Sequence, residues 1–157
     1  MNLISVLLPL AIAYFTHSAK ADCHDGWIHF KTSCFLFSQH TLNWFDAQSS
    51  CRAHNARLAE VYSSDVNDFL VMMAKAFGSA YYLGGRDDVI EGKWQWSSSS
   101  TDFTFTNWAL GEPNSFQGND EDCLELSPYE GYKWNDLPCN IPLYYICEEN
   151  SGFPFGK

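Results

Sequence analysis

Between Glu112 and Asp136 the chain carries seven carboxylates (Glu112, Asp120, Glu121, Asp122, Glu125, Glu130 and Asp136) and a single base, Lys133. Carboxylates crowded together repel one another unless something compensates them. A divalent cation can do so. Calcium takes about six to eight oxygen ligands from carboxylates, amide carbonyls and the backbone. The segment offers such oxygens in three clumps: Glu112 with Asn114, Glu121 with Asp122, and Asn135 with Asp136. A solvated acidic loop fits the same pattern, and charge alone does not separate the two. No D-x-D-x-D-G loop of the EF-hand kind is present. Other chemistries find less to work with. There is no Ser nucleophile elbow and no H-E-x-x-H, and the five histidines have no metal or catalytic spacing. Paired carboxylates could serve a glycosidase, but carboxylates that hold a cation lose the general acid. The expectation is a binding protein and not an enzyme.

The six cysteines, at 23, 34, 51, 123, 139 and 147, are even in number and predict three disulfides formed in an oxidising compartment. Spacing alone does not choose among the possible connectivities. The lack of any C-x-x-C pair argues against zinc. Residues 3–15 form an apolar run that is short for a bilayer, and Ala19-Lys20-Ala21 reads as a cleavage site. Residues 1–21 are therefore read as a secretory signal peptide, 22–149 as one domain and 150–157 as a C-terminal tail. The product is expected to be secreted and extracellular, without a membrane span. Over 157 residues, 9 Lys+Arg stand against 19 Asp+Glu, for a formal charge of −10. With no basic stripe, nucleic acid is excluded as the main partner. Any oligomer, a non-covalent dimer included, must form by surface packing, because no cysteine is left over for a bridge between chains.

Elements must hold these side chains in place. Trp27–Phe30 and Ser33–Phe37 read as two short strands around a turn. Trp44, Ala47, Cys51 and His54 share one face of a helix that Thr41 or Asn43 can cap. A second helix starts near Ser63-Ser64-Asp65 and ends at Gly78, with Val66, Phe69, Leu70, Met73 and Phe77 on its apolar face. Short aromatic strands follow at Tyr81–Leu83, Trp94–Trp96, Cys123–Leu126, Tyr132–Trp134 and Tyr144–Cys147. The stretch 97–122 is long, polar and without period, the mark of a functional loop. The order predicts an α+β domain. Trp94, Trp96 and Trp108 are expected in the core, whereas Phe116 and Tyr129 are candidates for secondary ligand contacts.

Glu112-Pro113-Asn114, Glu121-Asp122-Cys123, Trp134-Asn135-Asp136, Cys139 and Cys147 together resemble the C-type lectin domain. Trp44…Ala47…Cys51, Tyr82-Leu83-Gly84-Gly85 and Trp94-Gln95-Trp96 extend the resemblance over 23–149. It is closest to small secreted single-domain lectins of invertebrates, of the perlucin-like kind. The resemblance implies a fold of two helices, two small antiparallel sheets and a long calcium-binding loop region. It implies disulfides Cys23–Cys34, Cys51–Cys147 and Cys123–Cys139, the first marking the long form. It implies that Glu112, Asn114, Glu121, Asn135 and Asp136 ligate calcium, with Pro113 cis. Glu112 and Glu121 would accept hydrogen bonds from vicinal sugar hydroxyls, and the amides of Asn114 and Asn135 would donate to them. The Glu-Pro-Asn order implies mannose-, fucose- or N-acetylglucosamine-type glycans and a role in innate recognition of microbes. Asp87, Glu91, Glu121 and Asp122 match an auxiliary calcium site, where Ser115 replaces an Asp of some members and Asp120 can substitute. The rival expectation is a structural, mineral-binding or protein-binding domain on the same fold.

Overall fold

The structure, a computed structural model, describes residues 23–115 and 120–150. The signal peptide, Phe116 and all of the tail except Asn150 lie outside the described residues. Two helices and eight strands follow in the order β1 (Ile28–Phe30), β2 (Ser33–Phe37), α1 (Trp44–Ala53), β3 (Arg57–Leu58), α2 (Ser64–Phe77), β4 (Tyr81–Arg86), β5 (Gln95–Trp96), β6 (Cys123–Ser127), β7 (Lys133–Leu137) and β8 (Tyr144–Asn150). The two antiparallel groups are β1-β2-β8 with β3, and β4-β6-β7 with β5. A short parallel pairing of Tyr81–Tyr82 with Tyr144–Tyr145 joins them into one continuous path.

Local chemistry accounts for the helices. Asn43 Oδ1 accepts from the Asp46 backbone N–H and caps α1. Trp44, Ala47 and Cys51 are buried on one face, while His54 is an exposed C-cap. Gly78 ends α2 in the left-handed region at φ 71°. The buried face of α2 is Asn67, Phe69, Leu70 and Ala74, whereas Phe77 is half exposed. The disulfides are Cys23–Cys34, Cys51–Cys147 and Cys123–Cys139, the pairs that the resemblance implies.

Strand β4 runs three residues past its expected end. Gly84 and Gly85 are the reason. A Cβ on Gly85 would collide with the Phe103 ring and with Leu124, and one on Gly84 would press on the Leu58 carbonyl. The glycines here make room for neighbours and do not break the strand. Phe103 and Phe105, inside the polar stretch read as loop, pack with Trp94, Trp96, Trp108 and Trp134. That aromatic cluster is the floor on which the acidic loops rest. Strand β7 also continues further than expected, through Leu137, so Asn135 and Asp136 lie within a strand.

Candidate functional site

The acidic segments meet where residues 107–115 run beside β7. The Trp134 N–H donates to the Asn107 carbonyl at 2.9 Å, and the Ala109 N–H donates to the Trp134 carbonyl at 2.8 Å. Trp134 is itself anchored from α2, because its indole N–H donates to Asn67 Oδ1 at 3.0 Å with both residues buried. Beyond Ala109 the chain turns through Gly111 (φ 95°) and a cis Glu112–Pro113 peptide bond. The Asn114 and Ser115 N–H groups then both donate to Asp136 Oδ2, at 2.9 and 2.8 Å. Glu112, Asn114 and Asp136 are thereby brought to one place by main-chain hydrogen bonds.

What this place lacks is positive charge. Asp136 is 2% exposed, yet its Oδ1 has no hydrogen-bond partner, and neither has the buried Glu112 Oε2. Among the described residues no lysine, arginine or histidine forms an ion pair with either carboxyl. Burial raises the Glu112 carboxyl from its usual 4.5 to about 7, helped by the close approach of the Asp136 carboxylate and by the charges of Glu130 and Glu121. Glu121 therefore lies within reach of Glu112, and its charge also acts on Glu125. Asn135 Nδ2 donates to Glu125 Oε1 at 3.1 Å and to the Asp136 carbonyl at 2.7 Å. Its two N–H bonds are thus spent inside the protein, contrary to the expectation that this amide nitrogen faces a sugar. The cause is Glu125, a buried carboxylate on the paired residue of β6 that needs donors.

The residues expected at an auxiliary site form a second acidic group against the first. Asp87 Oδ2 accepts from the Gly92 N–H at 2.9 Å, and Oδ1 is buried without a partner. Burial pushes the Asp87 carboxyl from 3.8 to about 6, and the charges of Glu91, Asp122 and Asp136 add to it. Burial, then the charges of Asp120, Asp88 and Glu91, also raise Asp122, against the opposing pull of Arg86. Ser115 links the two groups: its N–H serves Asp136, and its hydroxyl donates to Glu91 Oε1 at 2.9 Å.

Buried acceptor oxygens without donors or counter-charge suit a hard cation, since they are costly in any other state. No cluster of three or more Asp, Glu, His or Cys is drawn close enough among the described residues to form a finished metal site. The first group brings Glu112 and Asp136 together, with Glu121 near enough for its charge to act on Glu112. Of the aromatic candidates, Trp94 and Trp96 are buried and Trp108 packs against the core. Tyr129 stands 95% exposed in a single 3-10 turn between β6 and β7, close enough to the site for its neighbour Glu130 to act on Glu112. The sequence pattern does not mark the role of Asn67, and it counts Glu125 among the acidic residues without showing its hold on the Asn135 amide. Asn67 shares a stripe with Leu70 and Ala74, a polar residue on a buried face, which is the signal that could have found it.

Comparison with known proteins decides the family. The model of the lectin C-type domain matches residues 40–149. The chain belongs to the C-type lectin domain family. These domains are carbohydrate-binding and non-enzymatic. A perlucin-like protein of Mytilus galloprovincialis is 34% identical over 134 residues, covering 83% of this chain and 85% of that protein. The chain spans only 32% of the length of a longer human relative. The carbohydrate-recognition domain of cow CD23, solved in the presence of a GlcNAc2Man3 oligosaccharide, is 30% identical with a TM-score of 0.76, covering 84% of this chain and 98% of that one. A Ca2+-dependent type II antifreeze protein in its Ca2+-free form is also 30% identical, with a TM-score of 0.73, covering 82% of this chain and 100% of that one. No helix among the described residues is long and apolar enough to cross a membrane.

Proposed function

We propose that this C-type lectin domain protein is a secreted, calcium-dependent lectin for mannose-, fucose- or N-acetylglucosamine-type glycans, acting in recognition of microbial surfaces. The observation that carries the reading is the pair of buried, unpartnered oxygens on Glu112 and Asp136, with which no lysine, arginine or histidine among the described residues forms an ion pair. Glu112, Asn114, Glu121, Asn135 and Asp136 would hold calcium, and Asp87, Glu91 and Asp122 an auxiliary ion. Bound calcium supplies open coordination positions for two vicinal sugar hydroxyls. The protein's own groups fix which hydroxyls fit. Glu112 and Glu121 accept hydrogen bonds from them, and the exposed Asn114 amide donates. Asn135 serves through its oxygen, because Glu125 holds its nitrogen. Tyr129 and Phe116 are the candidates for contacts to the rest of the glycan. Three disulfides and the signal-like leader support export.

A glycan array run with and without chelator tests this. Binding to mannose-type glycans that disappears on chelation is expected; galactose-only binding, or binding that survives chelation at these glycans, contradicts it. The likeness to an antifreeze protein favours a second reading, in which the same calcium pole meets a mineral, ice or protein surface. That reading is preferred if calcium raises the melting temperature while the array stays blank.

A further inference from the structure

Ser115 carries φ 42°, in the left-handed region that a residue with a Cβ seldom enters. Such a conformation persists where its surroundings hold it. Two hydrogen bonds hold Ser115. Its N–H donates to Asp136 Oδ2 at 2.8 Å, and its hydroxyl donates to Glu91 Oε1 at 2.9 Å. The first bond joins that of the Asn114 N–H in fixing one oxygen of Asp136, while the other oxygen stays without a donor. The second bond reaches across 24 positions of the chain to a different turn.

That turn is a firm anchor, because it closes around a buried side chain. The Ile90 N–H donates to the Asp87 carbonyl at 3.1 Å, and the Lys93 N–H to the Ile90 carbonyl at 2.9 Å. Gly92 makes the turn at φ 75°, and its N–H donates to Asp87 Oδ2 at 2.9 Å. Asp87 is 5% exposed and follows directly on β4, and its own N–H donates to the Asp122 carbonyl at 3.2 Å. A line of contacts thus runs from the sheet through Asp87 and Gly92 to Glu91, and through Ser115 to Asp136. The residue type at 115 suits this line. Glu91 and Asp136 both need donors, and serine offers one from its backbone and one from its side chain. A carboxylate at 115 would repel Glu91, whereas the hydroxyl bonds it.

We infer that Ser115 is a positioning residue of the cation site. Its hydroxyl ties the 87–93 turn to Asp136, so that Glu91 sets the cation affinity of Glu112 and Asp136 without ligating that ion. The inference rests on the reading of Glu112, Asn114 and Asp136 as a cation site. It adds that the two acidic groups are one mechanical unit before any ion arrives.

The test is a double-mutant cycle of Ser115→Ala and Glu91→Ala, read in two ways. In chelator, amide hydrogen exchange of the Asn114 N–H should speed up about fivefold in each variant. In calorimetric titration, the calcium binding that Asp136→Asn removes should weaken about fivefold in each. In both readouts the double variant should be no worse than either single one, since one tie is lost only once. Glu91→Gln keeps an oxygen for the hydroxyl and should hold the wild-type exchange rate, which separates the tie from the charge. Ser115→Gly accepts the left-handed backbone but has no hydroxyl, and should behave as Ser115→Ala. Additive effects of the two alanines overturn the proposal, as do wild-type exchange and affinity in Glu91→Ala or in Ser115→Gly. The two ways to fail differ: no calcium uptake by the wild type defeats the cation reading, whereas unchanged exchange beside normal uptake defeats only the tie.

Discussion

Two groups of buried carboxylates sit in this domain, and they differ in whether the fold completes them. Under β3 and β8, Glu60 and Glu148 are almost wholly enclosed, and each of their oxygens has a partner. Glu60 Oε1 accepts from the Ser98 and Ser99 N–H groups, and Oε2 from the Tyr62 hydroxyl and Arg57. Glu148 Oε1 accepts from the Ser33 hydroxyl, and Oε2 from Arg57 and the Glu60 N–H. In the acidic loops, Glu112, Asp136 and Asp87 each keep one buried oxygen without a donor, and among the described residues no lysine, arginine or histidine forms an ion pair with any of the three. The same residue types are a closed strut in one place and an open socket in the other.

Opening the strut should have the largest effect. Arg57→Met strands two buried carboxylates and should cost about 3 kcal/mol in chemical denaturation. Calcium should not restore it; equal stability of the variant would show that Arg57 compensates nothing. Next, calcium at about 100-fold over its dissociation constant should stabilise the wild type by about 2.7 kcal/mol. Asp136→Asn should lose that gain in thermal melts while keeping the stability of the calcium-free protein. A smaller effect belongs to the support between the two regions. Asn67→Leu leaves the Trp134 indole N–H unpartnered and should cost about 1–2 kcal/mol. Because Trp134 sets the register of residues 107–109, its calcium affinity should fall as well; an unchanged affinity would confine Asn67 to packing.

The smallest expected effect is one of pH and has an unusual sign. Glu112 and Asp87 have folded-state pKa values raised to about 7 and about 6. The folded state therefore binds more protons than the unfolded state between their ordinary values and the raised ones. Calcium-free protein should lose stability as pH rises from about 4 through about 7. Calcium should flatten that slope, and an unchanged slope with calcium would place the cation elsewhere.

Much of the socket is legible in the sequence because its parts are local. Glu112-Pro113-Asn114 and Trp134-Asn135-Asp136 are contiguous triplets of oxygen-bearing residues, and Trp44, Ala47 and Cys51 keep strict helical spacing. The disulfide pairing came only through resemblance, since spacing does not encode connectivity. What stayed hidden depends on contacts across the fold. Nothing near Asn67 in the chain says that its partner is Trp134. Gly84-Gly85 looks like a strand end until Phe103 is seen to need the space. The claim of Glu125 on the Asn135 nitrogen appears only once β6 and β7 are paired in register. The strut was invisible for the same reason, as Arg57, Glu60 and Glu148 meet only in three dimensions.

If the unpartnered oxygens of Glu112 and Asp136 take a divalent cation, it must compete with the proton that burial favours on Glu112. Calorimetric titration of calcium into chelator-stripped protein at pH 6.5, in two buffers of different ionisation enthalpy, tests it most directly. Saturable binding with net proton release is expected, shrinking at pH 8 where Glu112 is already ionised. Absence of saturable binding at millimolar calcium, or binding at pH 6.5 that releases no protons, would contradict it.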